Sequence, residues 1–316
     1  MSDLPKSVRI MEVGPRDGLQ IEKKILLTEE KVELVRHIVE AGVKAIEVGS
    51  FVNPKAVPQM ADSGEVYRLL PECADVEYHG LWLNAKGLER ALENGRVHVT
   101  GKLMIAASDT FLKRNTNKSI ADTLASFPLW IAQYKAAGIE VDDLHIGAAF
   151  GCNFQGDVPV AFVVDLIARG EEVMAQEGCE LRGISLADTM GWGTPLRTQQ
   201  LIGAIRERWP DLHIKLHLHD TRGTAIASAA AALEMGVHEF DSSIGGLGGC
   251  PFAGNKGAAG NVCSEDLVFM CQEMGVETGI DLDKLVAAAR RAEELVGHEL
   301  PGKLMKSGGL GQYRRH

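Results

Sequence analysis

The sequence has little of what marks a secreted, membrane-spanning or nucleic-acid-binding chain. Six cysteines in 316 residues (Cys73, Cys152, Cys179, Cys250, Cys263 and Cys271) include no Cys-x-x-Cys pair. That spacing indicates no disulfide framework; reduced, mostly buried thiols in a cytoplasmic protein are expected. No apolar run approaches the ~18 residues that would span a bilayer, and Met1–Lys6 opens no apolar signal core. No basic run could track a phosphate backbone, and the formal net charge is −10, which argues against general binding to nucleic acid. No Walker A motif is present, and Gly245–Gly249 is not a G-x-G-x-x-G opening a helix, so no nucleotide redox cofactor is expected. No Pro/Ser-rich linker divides the chain. A single domain over 1–316 is therefore expected.

What is present is alternation. Short β-rich runs fall at 8–13, 44–49, 78–83, 98–106, 142–148, 181–187, 212–218 and 238–244. Between them lie helical patterns such as 28–41, with Thr28 as N-cap, 119–137, and 195–208, opened by Thr194-Pro195. Two further helices are expected at 264–275 and 281–296. Eight strands each followed by a helix predict an α/β fold, a (β/α)₈ TIM barrel over about 8–280 with a C-terminal helical extension over about 281–316. A doubly wound open sheet is the rival.

Active sites of such barrels sit at the C-terminal strand ends, and the strong polar clusters of this sequence fall there. Strand 7 ends in His217-Leu218-His219-Asp220. Side chains at i and i+2 of a strand share a face, so two imidazoles project together, with Cα atoms roughly 7 Å apart. A bare His-x-His also fits surface imidazoles, but the adjacent Asp220 and the polar rim favour a divalent cation. Asp17 is the best further carboxylate and Asn261 a plausible fourth ligand. Such a mixed N/O set suits Mg²⁺ or Mn²⁺ better than Zn²⁺. Arg16 beside Asp17 could stabilise an oxyanion, or pair structurally with Glu47 or Asp188. Those two carboxylates could orient the ligands. Cys250 lies in a loop with seven glycines between 245 and 260. A thiol there can act as acid or base. Gln20, Ser50 and Thr189 complete the rim. Cys152, in Gly151-Cys152-Asn153 after strand 5, is the least certain of the other cysteines.

The runs Glu12-Val13-Gly14-Pro15-Arg16-Asp17-Gly18-Leu19-Gln20, Ser50-Phe51-Val52-Asn53-Pro54-Lys55 and Gly246-Leu247-Gly248-Gly249-Cys250-Pro251 resemble the 3-hydroxy-3-methylglutaryl-coenzyme A lyase family, as do Asp188-Thr189-Met190-Gly191 and His217-x-His219-Asp220-Thr221. The resemblance runs in order over about residues 8–303. It implies that Asp17, His217, His219 and Asn261 bind the cation, Mg²⁺ or Mn²⁺. Arg16 would stabilise the enolate, Cys250 would be the catalytic thiol, and Glu47 and Asp188 would support proton transfer. Gln20, Ser50 and Thr189 would contact the acyl-coenzyme A substrate. The implied activity is retro-Claisen cleavage to acetyl-coenzyme A and a keto acid, as in leucine catabolism, by a cytoplasmic homodimer with no nucleic-acid or membrane partner. Alternatives are a lyase for another 3-hydroxyacyl-coenzyme A, such as citramalyl-coenzyme A, or a non-catalytic metal-binding barrel. The sequence departs from the family pattern at Ile21, at Asn153 and Gln155, at Arg222, and in the inserted Asn255-Lys256. Arg222 and Lys256 add positive charge, which points to a different or more anionic acyl tail.

Overall fold

The computed structural model describes residues 4–249 and 260–314. All eight expected strands form, as β1 (Arg9–Glu12), β2 (Ala45–Ser50), β3 (Glu77–Leu81), β4 (Gly101–Ala106), β5 (Val141–Gly147), β6 (Gly183–Ala187), β7 (His213–His217) and β8 (Glu239–Ser242). The described residues divide into two compact units. One holds Thr100–Phe240; the other holds Lys6–Val99, Asp241–Gly249 and the chain beyond the undescribed segment.

In the Thr100–Phe240 unit the strands lie in the order β7-β6-β5-β4, all parallel. Ile105 pairs with Ile146, Leu144 with Ile184 and Leu186 with Leu216. Parallel strands covered on both faces read as nearly continuous aliphatic runs rather than alternating ones. Leu103, Leu144, Ile146, Leu186 and Leu216 are accordingly buried. Each contributes roughly 1.5–3 kcal/mol of apolar burial. The helix expected over 119–137 is two helices, Ile120–Ala125 and Phe127–Ala136, meeting at Ser126. Pro128 sits in the first turn of the second helix. It has no amide for an i→i−4 bond, and its ring would strike the carbonyl four residues back, so one continuous helix is excluded. The helix Pro195–Arg208 starts where Thr194-Pro195 predicts, with the Arg197 amide donating to Thr194 Oγ1 at 3.3 Å.

In the other unit the order is β3-β2-β1, again parallel. Met11, Val13 and Ala45 form a buried cluster. The helix Thr28–Glu40 is capped one residue earlier than expected, at Leu27, whose amide donates to Glu30 Oε2 at 2.7 Å. Thr28 instead turns its hydroxyl to Asp62 Oδ2, at 2.8 Å. β4 begins at Gly101, not at His98; the His98 amide donates to the Tyr78 carbonyl at 2.8 Å. The helix Leu282–Val296 has Asp281 as its N-cap and ends on left-handed Gly297. It lies against Thr28–Glu40, with Arg291 Nε donating to Glu33 Oε1 at 2.8 Å.

Candidate active site

Five expected residues come together in the Lys6–Val99 unit. The chain leaves β1 in a tight turn, Gly14–Gly18, that presents Arg16 and Asp17. Arg16 Nε donates to Glu47 Oε2 and Nη1 to Asp17 Oδ1, each at 2.5 Å. Burial works against the guanidinium charge, but Asp17 and Glu47 outweigh it and push the proton affinity up, so Arg16 is held as a cation. Gln20 Nε2 lies 3.4 Å from Asp17 Oδ1, a long contact. Asn261 Nδ2 donates to Asp17 Oδ2 at 2.8 Å. That bond fixes which end of the amide is oxygen. Asn261 Oδ1 is buried and has no hydrogen-bond partner among the described residues. A buried carbonyl oxygen without a donor costs roughly 1–3 kcal/mol, and a cation is one group that would satisfy it. Ser50 sits at the end of β2, where its amide donates to Ser63 Oγ at 3.1 Å and its own buried hydroxyl has no partner among the described residues.

The Thr100–Phe240 unit holds the two expected imidazoles. His217 is the last residue of β7 and His219 follows just beyond it, with ring centroids 5.0 Å apart at 77°. The shared face expected from i, i+2 spacing is realised. His219 Nδ1 lies 2.7 Å from the Asp188 carbonyl oxygen. A carbonyl only accepts, so Nδ1 carries the proton and Nε2 offers a lone pair, the arrangement of a metal-ligating histidine. The Asp188 carboxylate accepts from the Trp192 amide at 2.7 Å and the Gly193 amide at 2.8 Å. Burial nevertheless raises its pKa to about 6, against those two hydrogen bonds. Asp188 therefore shapes the loop after β6 with its side chain and orients His219 with its backbone. Thr189 Oγ1 accepts from the amide of Ala148 at 2.9 Å; Ala148 holds a left-handed φ of 50° after β5.

Arg222 is engaged by the loop after β6. Its Nη1 donates to the carbonyls of Met190 at 2.9 Å and Gly191 at 2.7 Å, and its guanidinium lies 5.8 Å from the Trp192 ring centroid. It ties down the loop after β6. Cys152 is buried, with its sulfur 3.0 Å from the Ser108 hydroxyl, which fits an inert thiol. Cys250 and Asn255-Lys256 lie outside the described residues.

Sequence reasoning passed over Glu12. It is fully buried at the end of β1; Oε1 accepts from the amides of Gly14 at 2.7 Å and Ile244 at 2.8 Å, and Oε2 from Ser264 Oγ at 2.5 Å. One carboxyl thus joins the turn bearing Arg16 and Asp17 to the segments that flank the glycine loop. Burial raises its pKa to about 7 despite those bonds. Glu265 is a second case, accepting from the Gly245 amide at 3.0 Å and raised to about 7 by burial. The available signal was a carboxylate directly after the apolar pair Ile10-Met11 and before Val13 in the strand run Val8-Arg9-Ile10-Met11-Glu12-Val13.

The paired strands and their connecting helices define the class, a (β/α)₈ barrel with a C-terminal helical extension, a class whose active sites sit at the strand C-termini. The family model HMGL-like matches residues 7–291, and the chain belongs to that family. A 3-hydroxy-3-isohexenylglutaryl-CoA/hydroxy-methylglutaryl-CoA lyase of Pseudomonas aeruginosa is 42% identical over 295 residues, 93% of this chain and 95% of its own. The human mitochondrial hydroxymethylglutaryl-CoA lyase is 40% identical over 288 residues, 91% of this chain and 85% of its own. The solved structure of an HMG-CoA lyase from Acinetobacter baumannii, in complex with coenzyme A and 3-methylmalate, superposes with a TM-score of 0.87 at 36% identity, covering 100% of both chains.

Proposed function

We propose that this chain is a divalent-metal-dependent carbon–carbon lyase that cleaves 3-hydroxy-3-methylglutaryl-coenzyme A, or a close 3-hydroxyacyl analogue, to acetyl-coenzyme A and a keto acid. The observation that carries the reading is that the chain matches lyases of this reaction over nine-tenths of its length. We place Asp17, Asn261, His217 and His219 as ligands of one cation. A carboxylate and two imidazoles form a donor set able to hold a metal ion. The orphaned Asn261 oxygen and the Nδ1-protonated His219 suit the same role. The mixed donors favour Mg²⁺ or Mn²⁺.

When bound, the cation would polarise the tertiary hydroxyl and ease loss of its proton. As the bond between C2 and C3 breaks, its electron pair moves to the thioester carbonyl. Arg16, held as a cation between two carboxylates, is placed to meet that negative charge. Cys250 would return a proton to the acetyl carbon, giving acetyl-coenzyme A and, from the methyl substrate, acetoacetate. Glu47 holds Arg16 in place, and Asp188 holds His219. Gln20, Ser50 and Thr189 would line the acyl-coenzyme A path. The reading carries with it a homodimer, checked by light scattering, and a cytoplasmic location, checked by cell fractionation.

The test is a panel of 3-hydroxy-3-methylglutaryl-, 3-hydroxy-3-isohexenylglutaryl- and citramalyl-coenzyme A, each with Mg²⁺, Mn²⁺ or EDTA. Cleavage of the methyl substrate that stops with EDTA and returns with either ion is expected. Metal-independent turnover would remove the ligand assignment. Binding of metal with no turnover of any thioester would favour a non-catalytic barrel and sink the proposal.

A further inference from the structure

Glu77, His79 and His98 form a cluster that the lyase chemistry does not use. All three lie in the Lys6–Val99 unit. Glu77 and His79 open β3 and share a strand face at i, i+2. Arg16 and Asp17 follow the C-terminal end of β1, whereas this cluster lies by the strand N-termini, where Arg9 opens β1 and also pairs with Glu77. His98 is brought in by its backbone, through the amide bond to the Tyr78 carbonyl between the other two residues.

Both imidazoles turn Nε2 toward one carboxylate oxygen. Glu77 Oε2 is 2.9 Å from His79 Nε2 and 3.9 Å from His98 Nε2. The rings pack edge to face with centroids 4.7 Å apart, and the three ligand atoms lie within 4.8 Å of one another. Ligands about 2.0–2.1 Å from a tetrahedral zinc stand about 3.3–3.5 Å apart, so small side-chain rotations suffice. The His79 hydrogen bond, with the charges of Arg9 and the two histidines, holds the Glu77 carboxyl down at about 2, so it is an anion across the working range. Arg9 pairs with this same Oε2; metal binding would shift it to Oε1, from which it would orient the carboxylate from outside the coordination sphere.

We infer that Glu77, His79 and His98 bind a zinc-class transition-metal ion at a site separate from the lyase centre, with three protein ligands and an open fourth position for water. Two imidazoles and one carboxylate with a single open position suit a four-coordinate Zn²⁺, whereas the lyase centre adds the Asn261 amide oxygen and oxygens of water or substrate, which suit an octahedral Mg²⁺ or Mn²⁺. The ion would clip the start of β3 to the segment leading into β4.

The test uses the full chain in excess Mg²⁺, with Zn²⁺ titrated against a chromophoric chelator. The Asp17→Ala background takes the carboxylate out of the lyase centre's proposed ligands and so weakens zinc binding there. Asp17→Ala is expected to take up one zinc equivalent, and Asp17→Ala/His98→Ala to bind it at least ~10-fold more weakly. His79→Gln in the same background should match, with circular dichroism confirming the fold. In the otherwise wild-type chain His98→Ala should leave thioester cleavage unchanged. No zinc uptake by Asp17→Ala, or uptake insensitive to both histidine changes, would overturn the site and leave the cluster an ion pair. The cleavage rate of Asp17→Ala tests the lyase assignment separately.

Discussion

Asn261 contributes most through an atom that has no hydrogen-bond partner among the described residues. Its Nδ2 is committed to Asp17, while its buried Oδ1 is left over. Asn261→Asp would keep an oxygen there but set two carboxylates against each other, and Asn261→Ala would remove the oxygen. We expect Asn261→Ala to weaken Mn²⁺ at least ~10-fold and to lower cleavage in proportion at limiting metal, measured by titration of activity against Mn²⁺. Recovery of rate at saturating Mn²⁺ would mark it as a ligand; a rate equally low at all Mn²⁺ concentrations would contradict that role. At this scale residue types were legible in the sequence, because the turn Arg16-Asp17-Gly18 and the pair His217-x-His219 follow strands whose ends are polar. Partnerships were not. Nothing in the spacing shows that Arg222 is spent on the carbonyls of Met190 and Gly191, or that Asp188 acts on His219 through its backbone. Those contacts join residues some 30 positions apart, which no local pattern encodes.

The element that matters most is the turn Gly14–Gly18. A Cβ built on Gly14 would stand 2.6 Å from Glu12 Oε1, the oxygen that also accepts from the Ile244 amide. Gly14→Ala must therefore displace the carboxyl that anchors the turn. We expect a loss of about 1–3 kcal/mol, for overpacking a tight site, and a fall in kcat as Arg16 and Asp17 shift. Urea denaturation and steady-state kinetics check both; an unchanged kcat at reduced stability would detach the turn's geometry from catalysis. A simpler element-scale case is Thr194→Ala, which removes an N-cap acceptor and should cost about 0.5–2 kcal/mol with the kinetics intact. The strands were legible because aliphatic runs bounded by helical patterns admit few other readings. Boundaries were less so. Pro128 could have been read as a break inside 119–137, but the surrounding pattern is helical on both sides. The true cap at Leu27 depends on a backbone-to-Glu30 bond rather than on residue type.

For the whole molecule the buried carboxyls set a pH dependence whose sign can be worked out. Glu12 and Glu265 are each raised from 4.5 to about 7, chiefly by burial. A raised carboxyl binds its proton more tightly in the folded state. Its contribution is therefore fully present below the unfolded pKa near 4.5 and is lost as pH rises through about 7. At 1.36 kcal/mol per pKa unit the loss is up to about 3 kcal/mol for each group. Glu77 runs the other way, since its folded pKa is depressed to about 2. Its contribution holds above about 4.5 and fades as pH falls toward 2. Being partly exposed, it is worth less. Stability should therefore peak near pH 4.5–5 as far as these groups decide it, and decline toward pH 8. Glu12→Gln isolates the effect. The glutamine Oε1 can accept from the Gly14 and Ile244 amides as Glu12 Oε1 does, and Nε2 can donate to Ser264 Oγ, so packing is kept while the titration is removed. We expect urea midpoints of Glu12→Gln to change less between pH 5 and pH 8 than those of the wild type, by the equivalent of up to about 3 kcal/mol. Parallel curves for the two proteins would show that the Glu12 carboxyl titrates near its ordinary value and that its three hydrogen bonds offset its burial.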